Sequence, residues 1–191
     1  MLFLREIRPA LSLVVLFTLF LGLLLPEAFT GAMQLALPFQ ANGSLLKANG
    51  QVVGSAIIGQ NFTSAQYFQG RPSALDKPYD AATSGASNLA PTSASLQASV
   101  KQRVAAYQKA FGPGPVPADA ATASGSGLDP DISLANALRQ APAVATARHL
   151  PAAAVTTLVQ QMTHHAFLGV VGTDHVNVLE LNLALEKLPA S

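Results

Sequence analysis

The stretch from Pro9 to Leu25, PALSLVVLFTLFLGLLL, decides the architecture of this chain. It carries no charged residue, and as a helix it would span about 25 Å, close to the thickness of the hydrocarbon core of a bilayer. A cleavable signal peptide has a shorter apolar region, about 7 to 15 residues long, and ends in a small-residue cleavage motif. Only a weak motif follows here, at residues 30–32. The stretch therefore predicts a retained transmembrane anchor.

The basic residues around the anchor predict its orientation. Arg5 and Arg8 lie immediately before the apolar run, and the next basic residue after it is Lys47. Basic residues close to a membrane-spanning helix favour the cytoplasmic side. We therefore expect a cytoplasmic N-terminus at residues 1–8, a transmembrane anchor and exit at residues 9–30, and a single extracytoplasmic domain at residues 31–191.

Local signals in the first part of this domain predict a strand and a helix. The β-branched run at residues 51–58 is bounded by Asn49-Gly50 and Gly59, which is typical of a strand. A turn-rich segment with many proline, glycine and serine residues follows, up to Pro91. Thr92 or Ser93 could then cap a helix whose apolar positions recur every three or four residues until Gly112-Pro113 ends it.

The second part predicts short helices and another strand. Ser133 and Pro142 could each begin a short helix, and Pro151 stands at the first turn of a helix running to about His165. The run Phe167–Val171 predicts a strand. At residues 178–188 a capping-box pattern and strong helix formers favour a helix, whereas alternating leucines would suit a strand. We expect a mixed α/β (α+β) soluble domain behind one transmembrane helix.

Composition and motifs exclude several functions. The formal net charge is +1 and the basic residues are scattered, so the chain has no basic stripe for nucleic acid. It has no cysteine, and its four histidines lack metal-ligand spacing, so we predict no metal site. No acid/base pair or phosphate-binding motif is recognisable, and Ser44 and Ser124 lack a partnered base. We therefore predict no catalytic residues.

Several polar segments are distinctive in a chain otherwise rich in alanine. They read GQNF at residues 59–62, YFQGRPSA at 67–74, SGASNLAPT at 84–92 and TASGSGLDP at 122–130, and VNVLELNLAL follows at 176–185. In this order behind an N-terminal anchor, they resemble the C subunit of the Kdp potassium-transporting P-type ATPase. The resemblance covers nearly the whole chain.

This resemblance implies a non-catalytic accessory subunit in the bacterial plasma (inner) membrane. In that family the complex also contains a channel-like potassium-binding subunit, a P-type subunit that hydrolyses ATP, and a small stabilising subunit. Two mechanisms are open: an extracytoplasmic cap on the channel-like subunit, or a catalytic chaperone that raises the ATP affinity of the hydrolytic subunit in a ternary complex with ATP. Potassium is the transported ion, no cofactor is expected in this chain, and ATP could be contacted only through the complex. The predicted cytoplasmic N-terminus favours the cap.

These segments also contain candidate site residues. Because each lies in one of these segments or beside it, we expect subunit contacts or structural turns at Gln60, Tyr67, Arg71, Asn88 and Asp129. The alternative is internal hydrogen bonding that holds the loops together.

This chain also departs from the family pattern. Ala86 and Ala90 replace glycines, so a role needing positive φ at these positions is in doubt. Residues 162–166 read MTHHA where the family tends to have HTEGR, and residues 172–178 read GTDHVNV where it often has GEPRVNV. Functions assigned to the replaced side chains do not transfer to this chain.

Overall fold

A computed structural model describes residues 2–189 of the chain. The expectation of a mixed helix-and-strand domain behind one long apolar helix is confirmed. The chain forms two compact units that divide between Leu45 and Leu46. The first unit consists of helices, and the second contains the strands and helices of the soluble part.

The first unit is dominated by one nearly continuous apolar helix. It consists of α1 (Leu2–Leu19), a π-helical turn (Phe20–Leu24) and α2 (Leu25–Ala36), and a short helix α3 (Pro38–Ala41) follows. The π turn ends two residues before Pro26, whose ring has no N–H and would crowd the carbonyl group four residues earlier, within that turn. The stretch Arg5–Ala36 is long and apolar enough to cross a membrane. It is about 48 Å long, and therefore extends beyond the anchor predicted at residues 9–30.

A tight hairpin marks the passage to the second unit. Strands β1 (Leu45–Ala48) and β2 (Gln51–Ser55) pair with each other. The turn between them is Asn49-Gly50, with φ values of 51° and 79°. This is the left-handed pair that two-residue hairpin turns require and that asparagine and glycine adopt readily. The predicted strand is confirmed, although it ends at Ser55 rather than residue 58.

The turn-rich segment leads into the first long helix of the second unit, α4 (Ala94–Phe111). The Ser93 hydroxyl accepts a hydrogen bond from the Leu96 N–H, which satisfies one of the free donors at the helix start. At the other end Gly112 has a φ of 91° and Pro113 follows. Both predicted ends of this helix are confirmed.

The C-terminal half of the second unit forms its core. The elements are α5 (Ala118–Ala121), β3 (Asp131–Ser133), α6 (Leu134–Arg148), α7 (Ala152–Gln161), β4 (Thr163–His164), β5 (His175–Asn177) and α8 (Val178–Leu185). The strands form an antiparallel sheet in the order β3-β5-β4. The core contains small and branched side chains of α6, α7, α8, β3 and β5, together with Phe68 of the turn-rich segment. Phe68 is fully buried.

Three expectations for this half can be compared with the structure. The two short helices predicted around Pro142 form one helix, α6, with Pro142 inside it. The predicted strand Phe167–Val171 is wrong, because these residues form a tight turn closed by a single bridge between its end residues. The choice of helix after residue 177 is confirmed: the Asn177 side chain accepts from the Glu180 N–H and caps α8.

Candidate functional site

Arg71 and Asp129 form an ion pair that joins the turn-rich segment to the loop before β3. The distance from Nη1 of Arg71 to Oδ2 of Asp129 is 2.8 Å, and the two side chains are 25% and 27% exposed. The other carboxylate oxygen of Asp129 accepts from the Asp131 N–H at 3.1 Å. Nε of Arg71 is buried and has no hydrogen-bond partner within residues 2–189. Two of the predicted site residues therefore contact each other.

Tyr79, in the same turn-rich segment, contacts both Arg71 and Gly59. Its hydroxyl donates to the Arg71 carbonyl at 2.6 Å. Burial, and to a lesser degree the charge of Asp129, raises the pKa of Tyr79 to about 12, so the phenol remains protonated and donates at physiological pH. Gly59 lies against the Tyr79 ring, and a Cβ at Gly59 would also lie 2.7 Å from the Asp129 carbonyl oxygen. Only glycine leaves room for this close approach.

Gln60 ties the turn-rich segment to the hairpin. Its Nε2 donates to the Val53 carbonyl at 2.7 Å. The next residue of β2 is Gly54, and a Cβ there would lie only 2.2 Å from Nε2 of Gln60. The neighbouring Gly59 N–H donates to the Leu128 carbonyl at 2.8 Å. Gln60 thus lies beside the loop that carries Asp129.

Tyr67 belongs to a separate cluster on α6 and the end of α8. Its hydroxyl donates to a carboxylate oxygen of Glu186, and this hydrogen bond is the main reason that the pKa of Tyr67 lies above its usual range. The guanidinium carbon of Arg148 lies 5.5 Å from the centre of the Tyr67 ring, within the range of a cation–π contact. Arg148 and Glu186 are 3.7 Å apart, which completes the cluster.

Asn88 is exposed and is not brought together with the other predicted residues. It has a φ of 51°, a left-handed conformation that asparagine tolerates better than most residues. Ala86 and Ala90 are not among the described residues with positive φ, so their replacement of glycine causes no backbone strain of this type. The segment is held to the loop before Asp129 by the Gly85 N–H, which donates to the Ser126 carbonyl at 2.9 Å.

Buried amide side chains form a network that the sequence analysis missed. Gln140 of α6 accepts from the Gln69 N–H at 2.8 Å and donates to the Gln69 carbonyl at 3.0 Å. Asn136, one turn earlier, accepts from the Tyr107 hydroxyl at 2.8 Å and donates to Asp119 at 2.9 Å. The signal was present as two amides four residues apart in a helix otherwise rich in alanine and leucine.

An open cleft of about 450 Å³ lies between α4 and the turn-rich segment. Two cations, Arg71 and Arg103, and the aromatic residues Phe62, Tyr79 and Tyr107 contribute to its lining. Arg103 also donates to the Ala121 carbonyl at 3.4 Å. The cleft could hold a polar or anionic group next to an aromatic surface.

Three of the four histidines lie near carboxylates, at or beside the strands β4 and β5. His164 and His175 are register partners on β4 and β5, with ring centres 5.4 Å apart. His164 lies 3.5 Å from Glu180, and His165 lies 3.0 Å from Asp174. Within residues 2–189, no group of three or more histidine and acidic side chains is arranged to hold a metal ion.

Comparison with known proteins agrees with the resemblance. A family model described as "KdpC: K+-transporting ATPase, c chain" matches residues 7–187. A Gemmatimonas aurantiaca protein named potassium-transporting ATPase KdpC subunit is 52% identical over 189 residues, covering 98% of this chain and 95% of its own length. Proteins of the same name from Acidobacterium capsulatum and Mycobacterium tuberculosis are 49% and 50% identical, and each match covers 96% of this chain and 99% of the relative.

Proposed function

This chain belongs to the KdpC family, and from that premise we propose that it is a non-catalytic accessory subunit of an ATP-driven potassium import complex. Its relatives are named as subunits of a potassium-transporting ATPase. Identity of about 50% over nearly the full chain supports the same assignment here. Its partners would be a channel-like potassium-binding subunit, a P-type ATP-hydrolysing subunit and a small stabilising subunit.

The apolar helix supports a single-pass location in the bacterial plasma membrane. Its described side chains are exposed along the whole span, as expected for a helix whose solvent is lipid or another subunit. Arg5 and Arg8 at its start, with no basic residue before Lys47, favour a cytoplasmic N-terminus. The second unit would then lie outside the cytoplasm.

The role of this second unit would be to cap the channel-like subunit and stabilise the assembled complex. The observation that carries this proposal is the fixed geometry of the turn-rich segment. Arg71 joins it to the loop before β3, and Gln60 joins it to β2. Tyr79 closes a hydrogen bond within the segment, and Phe68 anchors it in the core. A pre-ordered loop surface loses little conformational entropy on binding, which suits a permanent subunit contact.

The catalytic-chaperone mechanism has one observation in its favour. The cleft beside Arg71 and Arg103 combines positive charge with aromatic surface, which is the chemistry that a nucleotide requires. ATP is a cytoplasmic metabolite, so this mechanism requires the second unit to be on the cytoplasmic side. The two mechanisms therefore differ in topology.

Accessibility of a single cysteine tests the topology. Ser95 is exposed on α4 and the chain contains no cysteine, so Ser95→Cys introduces a unique reporter. We expect an impermeant thiol reagent to label it in intact inner-membrane spheroplasts. A cysteine added at the N-terminus is the matched control and should react only after permeabilisation. The reverse pattern would contradict the cap and favour the nucleotide-sharing mechanism.

Growth at limiting potassium tests the accessory role itself. A strain lacking its own copy of this subunit should grow when supplied with the full chain. It should fail to grow with a chain truncated after Leu45, which retains the apolar helix but lacks the second unit. Equal growth with both chains would show that the second unit is dispensable for transport.

A further inference from the structure

The turn between β4 and β5 exposes a compact set of large apolar side chains. We call residues 166–172 the apolar tip. Phe167, Leu168, Val170 and Val171 are 68%, 80%, 80% and 62% exposed, respectively. Single exposed apolar side chains are ordinary, but a contiguous group marks an interaction surface. The other large apolar residues of the same half of the chain are buried or half-buried, most of them in or against its core.

The apolar tip is ordered by its own backbone. The N–H groups of Phe167 and Val171 each donate to the other's carbonyl, at 2.9 and 3.0 Å. At the base of the tip, the Asp174 carboxylate accepts from the Ala166 N–H at 3.0 Å and contacts the His165 ring at 3.0 Å. The shape of the tip is therefore set before any partner binds, which lowers the entropy lost on docking.

The backbone conformation and the exposure of Leu168 indicate a role in binding rather than in folding. It has a φ of 53°, a conformation that glycine or asparagine adopts with less strain than leucine. The side chain is also the most exposed of the tip together with Val170, so it gains little from burial within this chain. A strained residue that does not contribute to the core suggests a contact outside it.

The charges around the tip distinguish a protein partner from a lipid surface. Loops and helices that bind an anionic membrane surface usually carry lysine and arginine beside their apolar residues. Between Arg148 and Lys187 this chain has neither, and the charged groups nearest the tip are histidines and the carboxylates of Asp174 and Glu180. A neutral, charge-depleted apolar tip resembles the centre of a protein interface instead.

We propose that the apolar tip inserts into an apolar groove on another subunit of the same transport complex. The proposal rests on the proposed membership of that complex and adds the residues through which this chain docks. Phe167, Leu168, Val170 and Val171 would fill the groove, and the ladder between β4 and β5 would hold the tip in place.

Photocrosslinking within the whole complex identifies the occupant. A photoreactive phenylalanine analogue at Phe167 should give a covalent adduct between this chain and another subunit. An analogue at Phe39, which is also exposed but lies outside the second unit, is the control for nonspecific capture. An adduct with lipid only, an adduct with a second copy of this chain, or no adduct from position 167 would each overturn the proposal.

A matched pair of double variants measures how much the tip contributes. Leu168→Ser with Val170→Ser should reduce about tenfold the amount of this chain that co-purifies with its partners after detergent solubilisation, as truncation of central interface residues commonly does. Val52→Ser with Ile57→Ser removes side chains that are also exposed, at 54% and 60%, from β2 and the residues after it, and should have no such effect. Co-purification of the tip variant at the level of the unchanged chain would overturn the proposal.

Two further measurements distinguish loss of docking from loss of stability, and the docking proposal from the cap proposal. The melting temperature of the isolated full chain should not fall in the tip variant, because the replaced side chains are exposed. A fall would show that the tip supports the fold of this chain and would overturn the proposal. If Ser95→Cys reports a cytoplasmic domain while Phe167 still crosslinks to a subunit, the cap proposal fails and the docking proposal stands.

Discussion

The backbone of Phe68 is held by the side chain of Asn182 through two hydrogen bonds. The Phe68 N–H donates to Oδ1 at 2.9 Å, and Nδ2 of Asn182 donates to the Phe68 carbonyl at 3.0 Å. Asn182 lies on α8, 114 residues further along the chain, and both residues are buried. Phe68 lies in an irregular segment, and the Asn182 amide satisfies both of its backbone groups, as a neighbouring strand would in a sheet. This pairing fixes Phe68 in the core.

Asn182→Ala should therefore destabilise the second unit. The change leaves a buried N–H and a buried carbonyl without partners, which we expect to lower the free energy of unfolding by about 2–4 kcal/mol. Thermal and urea unfolding of the purified full chain would measure the loss. Asn61→Ala, at an exposed position, is the control and should change stability by less than about 0.5 kcal/mol. If Asn182→Ala and Asn61→Ala changed the free energy of unfolding equally, the two hydrogen bonds of Asn182 would not stabilise the fold.

Gly59→Ala should disturb the loops around Arg71. The added Cβ would meet the Tyr79 ring and the Asp129 carbonyl oxygen, and neither can move without breaking the hydrogen bond or ion pair that it supports. We expect a loss of about 1–3 kcal/mol in the free energy of unfolding, as for other overpacked sites. Gly125→Ala adds the same methyl group where no atom lies within 4 Å, and should leave stability nearly unchanged. A harmless Gly59→Ala would contradict the close packing of these loops.

The ion pair between Arg71 and Asp129 can be tested with a double-mutant cycle. Arg71→Ala and Asp129→Ala should each destabilise the chain, and the double variant should be more stable than the sum of the two effects predicts. Because both side chains are about one quarter exposed, we expect a coupling energy of only about 1 kcal/mol. Additive effects within experimental error would show that the pair does not stabilise the fold.

The same variant separates a structural role from a contact role. If Arg71 also lines a subunit contact, the complex purified with Arg71→Ala should contain less of this chain than its loss of stability explains. A variant that destabilises the second unit from its core, such as Asn182→Ala, provides the comparison. A complex with unchanged composition and unchanged transport would count against a contact role for Arg71.

The sequence predicted most reliably those features that are set by neighbouring residues. The ends of α4 follow from the Ser93 cap and from Gly112 and Pro113, because caps satisfy backbone groups only a few residues away. The conflict between alternating leucines and helix formers after residue 177 was resolved by Asn177, which caps α8. The membrane helix needed only length and absence of charge.

Predictions failed where tertiary contacts outweigh local preference. Pro142 was expected to begin a new helix, but it lies within α6, where the chain on both sides packs against α7 through small buried residues such as Ala141 and Ala145. Loss of one backbone hydrogen bond is offset by that packing. The run Phe167–Val171 has strand propensity, but strand propensity expresses packing on a sheet, and the tip has no sheet beneath it.

The candidate site was only partly predictable. The motif segments nominated Arg71 and Asp129 separately, and nothing local shows that these residues, 58 positions apart, form an ion pair. The amides that hold the loops, Gln140 and Asn182, were missed because a polar residue within an apolar helix does not reveal its distant backbone partner. Asn88 was grouped with the others by motif alone and lies apart from them.

The pH dependence of the free energy of unfolding should show the raised pKa of Asp131. Its burial raises the pKa of this carboxyl above the ordinary 3.8, with a further rise from Asp129 and opposing effects of His175, Asn177 and His164. A carboxyl whose pKa is higher in the folded state contributes stability that is present below the unfolded pKa and is lost as pH rises through the folded pKa. Asp131→Asn cannot titrate and keeps an oxygen that can accept from Asn177, as Oδ1 of Asp131 does at 3.1 Å.

We therefore expect the stability of Asp131→Asn, relative to the unchanged chain, to increase as pH rises from about 4 towards neutrality. Unfolding of the full chain in urea at a series of pH values would measure this difference. Since Asp131 also faces His175 at 4.0 Å, the series should be repeated in a His175→Asn background, where the opposing attraction is removed and the trend should steepen. Asp76→Asn removes an exposed carboxylate and is the control. A difference that is flat with pH, or that falls, would contradict the assignment of a raised pKa to Asp131.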